Sequence, residues 1–437
     1  MLEVLVMTLL AIFILFGILL VRHAIHIRYS FSITGVCQLL REYWKLALFI
    51  IIAFAFSTVR AVFVDRPIVV SDGYDQYAVL LSQWLRNPSI NLDTSLGGYH
   101  FPFRIVYSLL IAIPLAIAPL DILLLGRVIS ILSFLATIPL LDKIMGLLGL
   151  KEISGVEEAV LILYVTNVTI VTALVRFGTD MLFLALLMCA IVVYERLLER
   201  PLKESRLSLL LLVILCALLF FTREVGLLFC GSIGLHQFWL QNRKIKLSIL
   251  AVALAGIITM LFLGVLDDFL YYLVWTSSSS RFATELVLHG DLAALAMPLA
   301  SKFLSVPNLL STIEAVFYAF GMPLLVSMLG IYYMIRNPQK RGFLRGITFL
   351  YFIVFILFYV FLKIGRGIDR FFLPILFIPY LTVPYGLKVF IYGNEEPAVK
   401  ASEWLPYKMR LVFATLIVSQ LLIYILRTIL SFFGQFL

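Results

Sequence analysis

Thirteen apolar runs divide this chain, at residues 2–21, 45–64, 105–119, 121–141, 157–175, 179–197, 207–222, 224–240, 247–266, 312–335, 345–363, 371–391 and 411–433. A helix that crosses a hydrocarbon core needs about 20 apolar residues. Repetition of that length leaves few folds open. In hydrocarbon every backbone polar group must be bonded within the protein, which admits helices or closed barrels, and runs this long and unalternating read as helices. The composition agrees: 62% of the 437 residues are hydrophobic and 14% are charged, against roughly 45–50% and about 25% in a soluble domain. Large soluble domains still leave about a quarter of the chain's surface in water. These numbers argue against a soluble enzyme, a nucleic-acid binder and a disordered chain. The expected fold is all-α and polytopic, a single transmembrane domain over 1–437 with about 12–13 transmembrane helices.

The net charge of +9 would suggest nucleic acid in a soluble protein. Here Lys and Arg gathering in cytoplasmic loops explain it, and no nucleic-acid partner is expected. Basic loops fall at 22–45, 195–206, 241–246, 336–345 and 388–410, and all five should lie inside. Between the first two the number of crossings must then be even, yet five runs lie there. The run 105–119 is the shortest, about 22 Å as a helix, and it holds Pro114 and Pro119. It is therefore expected to be a juxtamembrane or re-entrant helix on the outer side, leaving twelve spans with both termini outside. The first run has no basic segment ahead of it and no small-residue cleavage site, so it reads as a retained span and not a signal peptide. The four cysteines, Cys37, Cys189, Cys216 and Cys230, are too scattered for a disulfide framework or a metal motif and read as packing residues.

Two long segments then fall outside, 65–120 and 267–311. Nearly all acidic residues sit at span ends or in loops, among them Asp72, Asp75, Asp180, Glu224 and Asp369, with Arg176, Arg223, Arg366 and Arg370 at the same level. A ring of carboxylates and guanidiniums at one interface suits chemistry on a lipid head group better than a proton relay through the bilayer. The stretch Ser71 to Tyr77 holds Asp72 and Asp75. On a helix the i, i+3 spacing puts both on one face. One could take a proton while the other orients the acceptor or a divalent cation such as Mg or Mn; the plain alternative is a solvated helix start with an Asp cap. Arg176 and Asp180, spaced i, i+4, suit a structural pair, and Arg223 beside Glu224 suits a local one. Arg366 and Arg370 suit phosphate binding or interface anchoring. A lone His100 among aromatics suits packing or the site.

After the acidic pair come Tyr77, then His100-Phe101-Pro102, then Gly126-Arg127-Val128 at the head of the next span. Further on are Gly178-Thr179-Asp180-Met181, Thr222-Arg223-Glu224 and Asp369-Arg370-Phe371-Phe372-Leu373-Pro374. In this order, and all on the outer side, these segments resemble the motifs of the GT-C superfamily of membrane glycosyltransferases. The likeness is greatest to the branch of dolichyl-phosphate-mannose protein mannosyltransferases and the lipid A aminoarabinose transferase, and it runs from about residue 45 to 390. The chain departs from that pattern where Gly73 follows Asp72 in place of a second carboxylate, and where Pro102 stands alone.

The resemblance implies a GT-C-like fold with outer juxtamembrane helices. It implies transfer of a sugar from a polyprenyl (dolichyl) phosphate to a lipid, glycan or protein acceptor, with inversion. The donor would reach the site from among the membrane lipids. Asp72 is the expected base, with Asp75 beside it. Arg370, Arg366, Arg223, His100, Tyr77 and Asp180 are the expected substrate- and phosphate-binding residues. The expected place is a prokaryotic-type plasma membrane, with the site on its outer face. The competing expectation is a transporter or flippase of lipid-linked or anionic solutes, marked by charges at helix centres and an internal repeat; a scaffold in a membrane complex is the non-catalytic alternative.

Overall fold

A computed structural model of the protein describes residues 74–90, 105–148, 156–175, 178–199, 206–223, 225–240, 306–336, 346–357, 369–392 and 407–433. Every regular element among these residues is helical. In chain order they are α1 (Tyr74–Arg86), α2 (Ile105–Ile117), α3 (Ile122–Leu147), α4 (Val156–Val165), α5 (Val168–Val175), α6 (Asp180–Glu199), α7 (Arg206–Thr222) and α8 (Gly226–Leu240). Then follow α9 (Val306–Phe320), α10 (Pro323–Arg336), α11 (Ile347–Phe355), a 3-10 segment (Asp369–Ile375), α12 (Phe377–Tyr392) and α13 (Tyr407–Phe433). The runs at 2–21, 45–64 and 247–266 lie outside the described residues.

Among the described residues, two helices are long and apolar enough to cross a membrane, Ile122–Leu147 and Asp180–Leu198; a third is added if the bent pair Thr312–Phe320 and Pro323–Arg336 counts as one span. Where they are described, the apolar runs become helices with boundaries close to those expected, because hydropathy and the residues that end it are local properties. Three runs are not continuous. The run 157–175 breaks at Thr166–Asn167, and 312–335 bends by 84° between α9 and α10. The run 371–391 opens as a 3-10 turn containing Pro374. Within the second outer segment, 267–311, a helix begins at Val306.

α6 is the centre of the bundle. It packs against α3, α5, α7, α8, α11 and the 3-10 segment. Met181, Phe183, Leu184, Leu187, Met188, Ala190 and Ile191 are all buried, and a stripe of Leu182, Leu186, Cys189 and Val193 is half-buried. α3 differs: Leu124, Val128 and Leu132, one turn apart, are exposed. An apolar stripe of this kind suits lipid as its solvent.

α10 and α12 make the closest pair. Ser327 and Thr382 share a hydrogen bond of 2.7 Å between their hydroxyls. A Cβ at Gly330 would lie inside contact distance of the Thr382 carbonyl, and one at Gly386 inside that of Val326. Small residues one turn apart on each helix let the backbones touch, the packing device of membrane helices.

α1 and α2 form a satellite on the bundle. The amphipathic α1 buries Ala78, Leu81 and Trp84 against Ile105, Val106, Tyr107, Leu109 and Ile111 of α2. Arg86, at the end of α1, donates from Nε to the Ala116 carbonyl at 2.9 Å and from Nη2 to the Leu115 carbonyl. One guanidinium thus caps the C-terminus of α2, where the last carbonyls have no helical partner, and holds the two C-terminal ends together. α2 is 13 residues long, about 20 Å, too short for a ~30 Å core. Eight of its residues are buried, against α1, α3 and α7. That is the burial of a helix enclosed in protein.

Candidate functional site

α6 begins where α7 ends, and the two opposed ends carry opposite charges. Asp180 is the first residue of α6 and Arg223 follows the last residue of α7. They form an ion pair, Arg223 Nη1 to Asp180 Oδ1. Asp180 is 8% exposed and Arg223 6%. Each charge suits its helix: a carboxylate at the N-terminus and a guanidinium at the C-terminus oppose the macrodipoles. The Arg223 guanidinium also lies over the Phe183 ring, 6.0 Å from its centroid.

Local backbone geometry holds this pair. Thr179 accepts from the Phe183 amide at 2.9 Å, opening α6. The Arg223 amide donates to the Leu219 carbonyl at 3.0 Å, closing α7, and the Gly226 amide donates to the Arg223 carbonyl at 2.9 Å. The return into α8 is tight. A Cβ on Gly226 would sit 2.6 Å from the Leu219 carbonyl oxygen, so any side chain there would push the turn off α7 and move Arg223.

The α1–α2 pair meets these helix ends. Leu182, two residues after Asp180, packs into the cluster of Ala78, Tyr107 and Ile111. Phe221, two residues before Arg223, packs into the cluster of Leu81 and Trp84. The α1–α2 pair therefore rests on the residues flanking the ion pair. The 3-10 segment that carries Asp369 and Arg370 packs against α5, α6 and α9. Its Phe372 meets Phe320 of α9 edge-on, with centroids 5.7 Å apart.

Asp75 lies in the first turn of α1 and is half-buried, as is Tyr77. The expected i, i+3 pairing of Asp75 with Asp72 falls partly outside the described residues, which begin here at Tyr74. An acid in the first turn fits the capping alternative. Asp72, His100 and Arg366 lie outside the described residues, as do Arg176 and Glu224. The partner that sequence neighbours suggested for Arg223 was Glu224, and for Asp180 it was Arg176. The fold joins Asp180 to Arg223, 43 positions apart. Arg127 is exposed near the start of α3, which Asp121 caps by accepting from the Leu123 amide at 2.9 Å. Among the described residues no group of three or more His, Cys, Asp or Glu could hold a metal ion.

One buried polar cluster was not anticipated. Asn167 stands at the break between α4 and α5. Its Oδ1 accepts from the amides of Thr169 at 2.8 Å and Ile170 at 3.1 Å, capping α5. Its Nδ2 donates to the Ala319 carbonyl at 2.7 Å and to the Tyr380 hydroxyl at 2.6 Å. Gln420 reaches the same hydroxyl at 2.9 Å, and the Thr166 hydroxyl is 2.9 Å from Gln420 Oε1. Four parts of the bundle thus meet at one point. The signal was present in the sequence as Thr166-Asn167 inside an apolar run and Gln420 inside another. At the far end of α6, Tyr194 bonds His236 Nδ1 at 2.7 Å and accepts from Gln237 at 2.8 Å.

No family model, no curated protein and no solved structure matches this chain.

Proposed function

We propose that the chain is a multi-pass membrane glycosyltransferase of GT-C type that takes its sugar from a polyprenyl phosphate at the outer face of the membrane. The observation that carries the reading is the buried Asp180–Arg223 pair, on which the α1–α2 pair rests, with the segment of Arg370 packed on the same helix α6. The buried guanidinium of Arg223 suits a phosphate-bearing donor, because guanidinium matches phosphate geometry. The short α2, enclosed by α1, α3 and α7, suits a cover over such a site.

In the proposed reaction the acceptor hydroxyl oxygen attacks the anomeric carbon. The bond from that carbon to the phosphate oxygen breaks, and polyprenyl phosphate leaves with the electron pair. Asp72 takes the hydroxyl proton, a role typically worth 10²–10⁴-fold. Arg370, Arg366 and Arg223 balance charge on the leaving phosphate. Asp180 holds Arg223 in place.

The test is purified protein in nanodiscs, given radiolabelled polyprenyl-phosphate sugars and membrane-extract acceptors. Transfer by the wild type that falls at least about 100-fold in Asp72→Asn supports the proposal. Absence of transfer with every donor, or transfer at the wild-type rate by Asp72→Asn, refutes the assignment of activity or of the base respectively.

The breaks at Thr166–Asn167 and Gly321 favour a second reading. Interrupted helices that meet at a buried polar point are a device of transporters. Proteoliposomes that flip a fluorescent polyprenyl-phosphate lipid, with no sugar transfer, would establish the transporter in its place.

A further inference from the structure

The geometry points to Asn167 as the latch of a hinged arm, α9, which closes over the 3-10 segment of Asp369 and Arg370. α9 leaves the bundle at 84° to α10. The elbow is Gly321, whose φ of +60° is a conformation that L side chains seldom adopt. Its amide donates back to the Phe317 carbonyl at 2.8 Å, so α9 closes on itself before the chain turns. On its inner side α9 buries Ala315, Ala319 and Phe320; on its outer side Val306, Leu310, Ile313 and Phe317 are exposed. The buried side lies on the 3-10 segment and on α5.

The polar tie between this arm and α5 runs from Asn167 Nδ2 to the carbonyl of Ala319, two residues before the elbow. That carbonyl belongs to the last turn of α9, which has no helical partner to offer it. The other amide hydrogen of Asn167 goes to Tyr380 at 2.6 Å, which anchors the latch to α12. Asn167 therefore has two separable duties. Its oxygen caps α5, and its nitrogen holds the arm. A cap alone calls for Ser as readily as Asn, whereas only the longer amide supplies both donations. If the latch opens, α9 pivots at Gly321 and uncovers the 3-10 segment. The consequence for catalysis rests on the proposed transferase reading; the latch itself does not.

The separation of duties supplies the test. Nitroxides are placed at Leu310 on α9 and Leu132 on α3, both exposed, in a background with the four cysteines replaced. Their separation is measured by double electron–electron resonance in nanodiscs. Leu310 lies about 16 Å along the helix from the elbow, so a pivot of about 30° moves it by roughly 8 Å. Wild type should give one narrow distribution. Asn167→Ser, which keeps the cap, should give a second population shifted by several ångströms, and Asn167→Ala should do the same. A single wild-type distribution in both variants overturns the latch; so does a shift in Asn167→Ala alone, which would assign the effect to the cap. If Asn167→Ser does not fold, Phe320→Ala serves: it removes an apolar contact of the arm and keeps the latch, so the distribution should stay narrow, and a shift there overturns the proposal. These distances are independent of sugar transfer. A moving arm in a chain that transfers no sugar removes the transferase reading and leaves the latch standing, and an immobile arm in an active enzyme does the reverse.

Discussion

Removing one member of the Asp180–Arg223 pair should damage the protein far more than removing both. Both side chains are nine-tenths buried, and the pair joins α6, the centre of the bundle, to α7. At an ordinary contact of about 3 Å and an effective dielectric of ~20, two unit charges attract by roughly 5 kcal/mol. Most of that offsets the cost of desolvating them. Deleting one partner of a buried pair removes the counter-charge that offset the other's desolvation, at a cost of about 3–5 kcal/mol, whereas exchange of both for apolar residues of similar volume is often near neutral. Asp180→Leu and Arg223→Met should each lower stability by about 3–5 kcal/mol, and the double variant by about 0–2 kcal/mol. The coupling energy would then be several kcal/mol, well beyond the ~0.5 kcal/mol scatter of independent sites. The assay is reversible unfolding of the four proteins in mixed micelles, followed by tryptophan fluorescence. The swapped pair Asp180→Arg with Arg223→Asp should recover only part of the loss, because each charge would then face its helix dipole with the wrong sign. Single effects that simply add would refute the reasoning, since they would mean that the two charges do not neutralise one another.

Two other perturbations test the packing. Gly386→Ala should lower stability by about 1–3 kcal/mol or more, because its methyl would lie under 3.0 Å from the Val326 carbonyl and α10 and α12 would have to part; a thermal midpoint equal to wild type would contradict that contact. The free thiols of Cys216 on α7 and Cys230 on α8 are near neighbours. In a protein lacking Cys37 and Cys189, copper–phenanthroline should therefore remove maleimide labelling of both at once, and full labelling after oxidation would contradict the α7–α8 register.

The helices themselves were legible. The runs 207–222 and 224–240 become Arg206–Thr222 and Gly226–Leu240, because hydropathy, a basic residue at one end and a glycine at the turn all act within a few residues. The breaks were not. A sliding view of 157–175 or 312–335 sees unbroken apolarity, and the polar atoms that hold each break come from other helices. Of the candidate site, Asp180 and Arg223 could be named from their motifs, but not joined. Their nearest charged neighbours in sequence were Arg176 and Glu224, and the partner each takes lies 43 positions away.

The sequence by itself determined the solvent and the elements: too little charge for water, and apolar runs long enough to make helices that bond their own backbones. It did not determine which helix faces which. In a soluble helix one polar face reports its orientation, but here protein interior and lipid are both apolar, so most faces look alike. Rotation and register come from sparse polar and small residues, and these act across the fold. Asn167 meets Ala319 across 152 positions, and Thr166 meets Gln420 across 254. Only the tertiary structure brings such groups together, because a buried polar atom takes whichever partner packing sets within reach, at whatever distance in sequence.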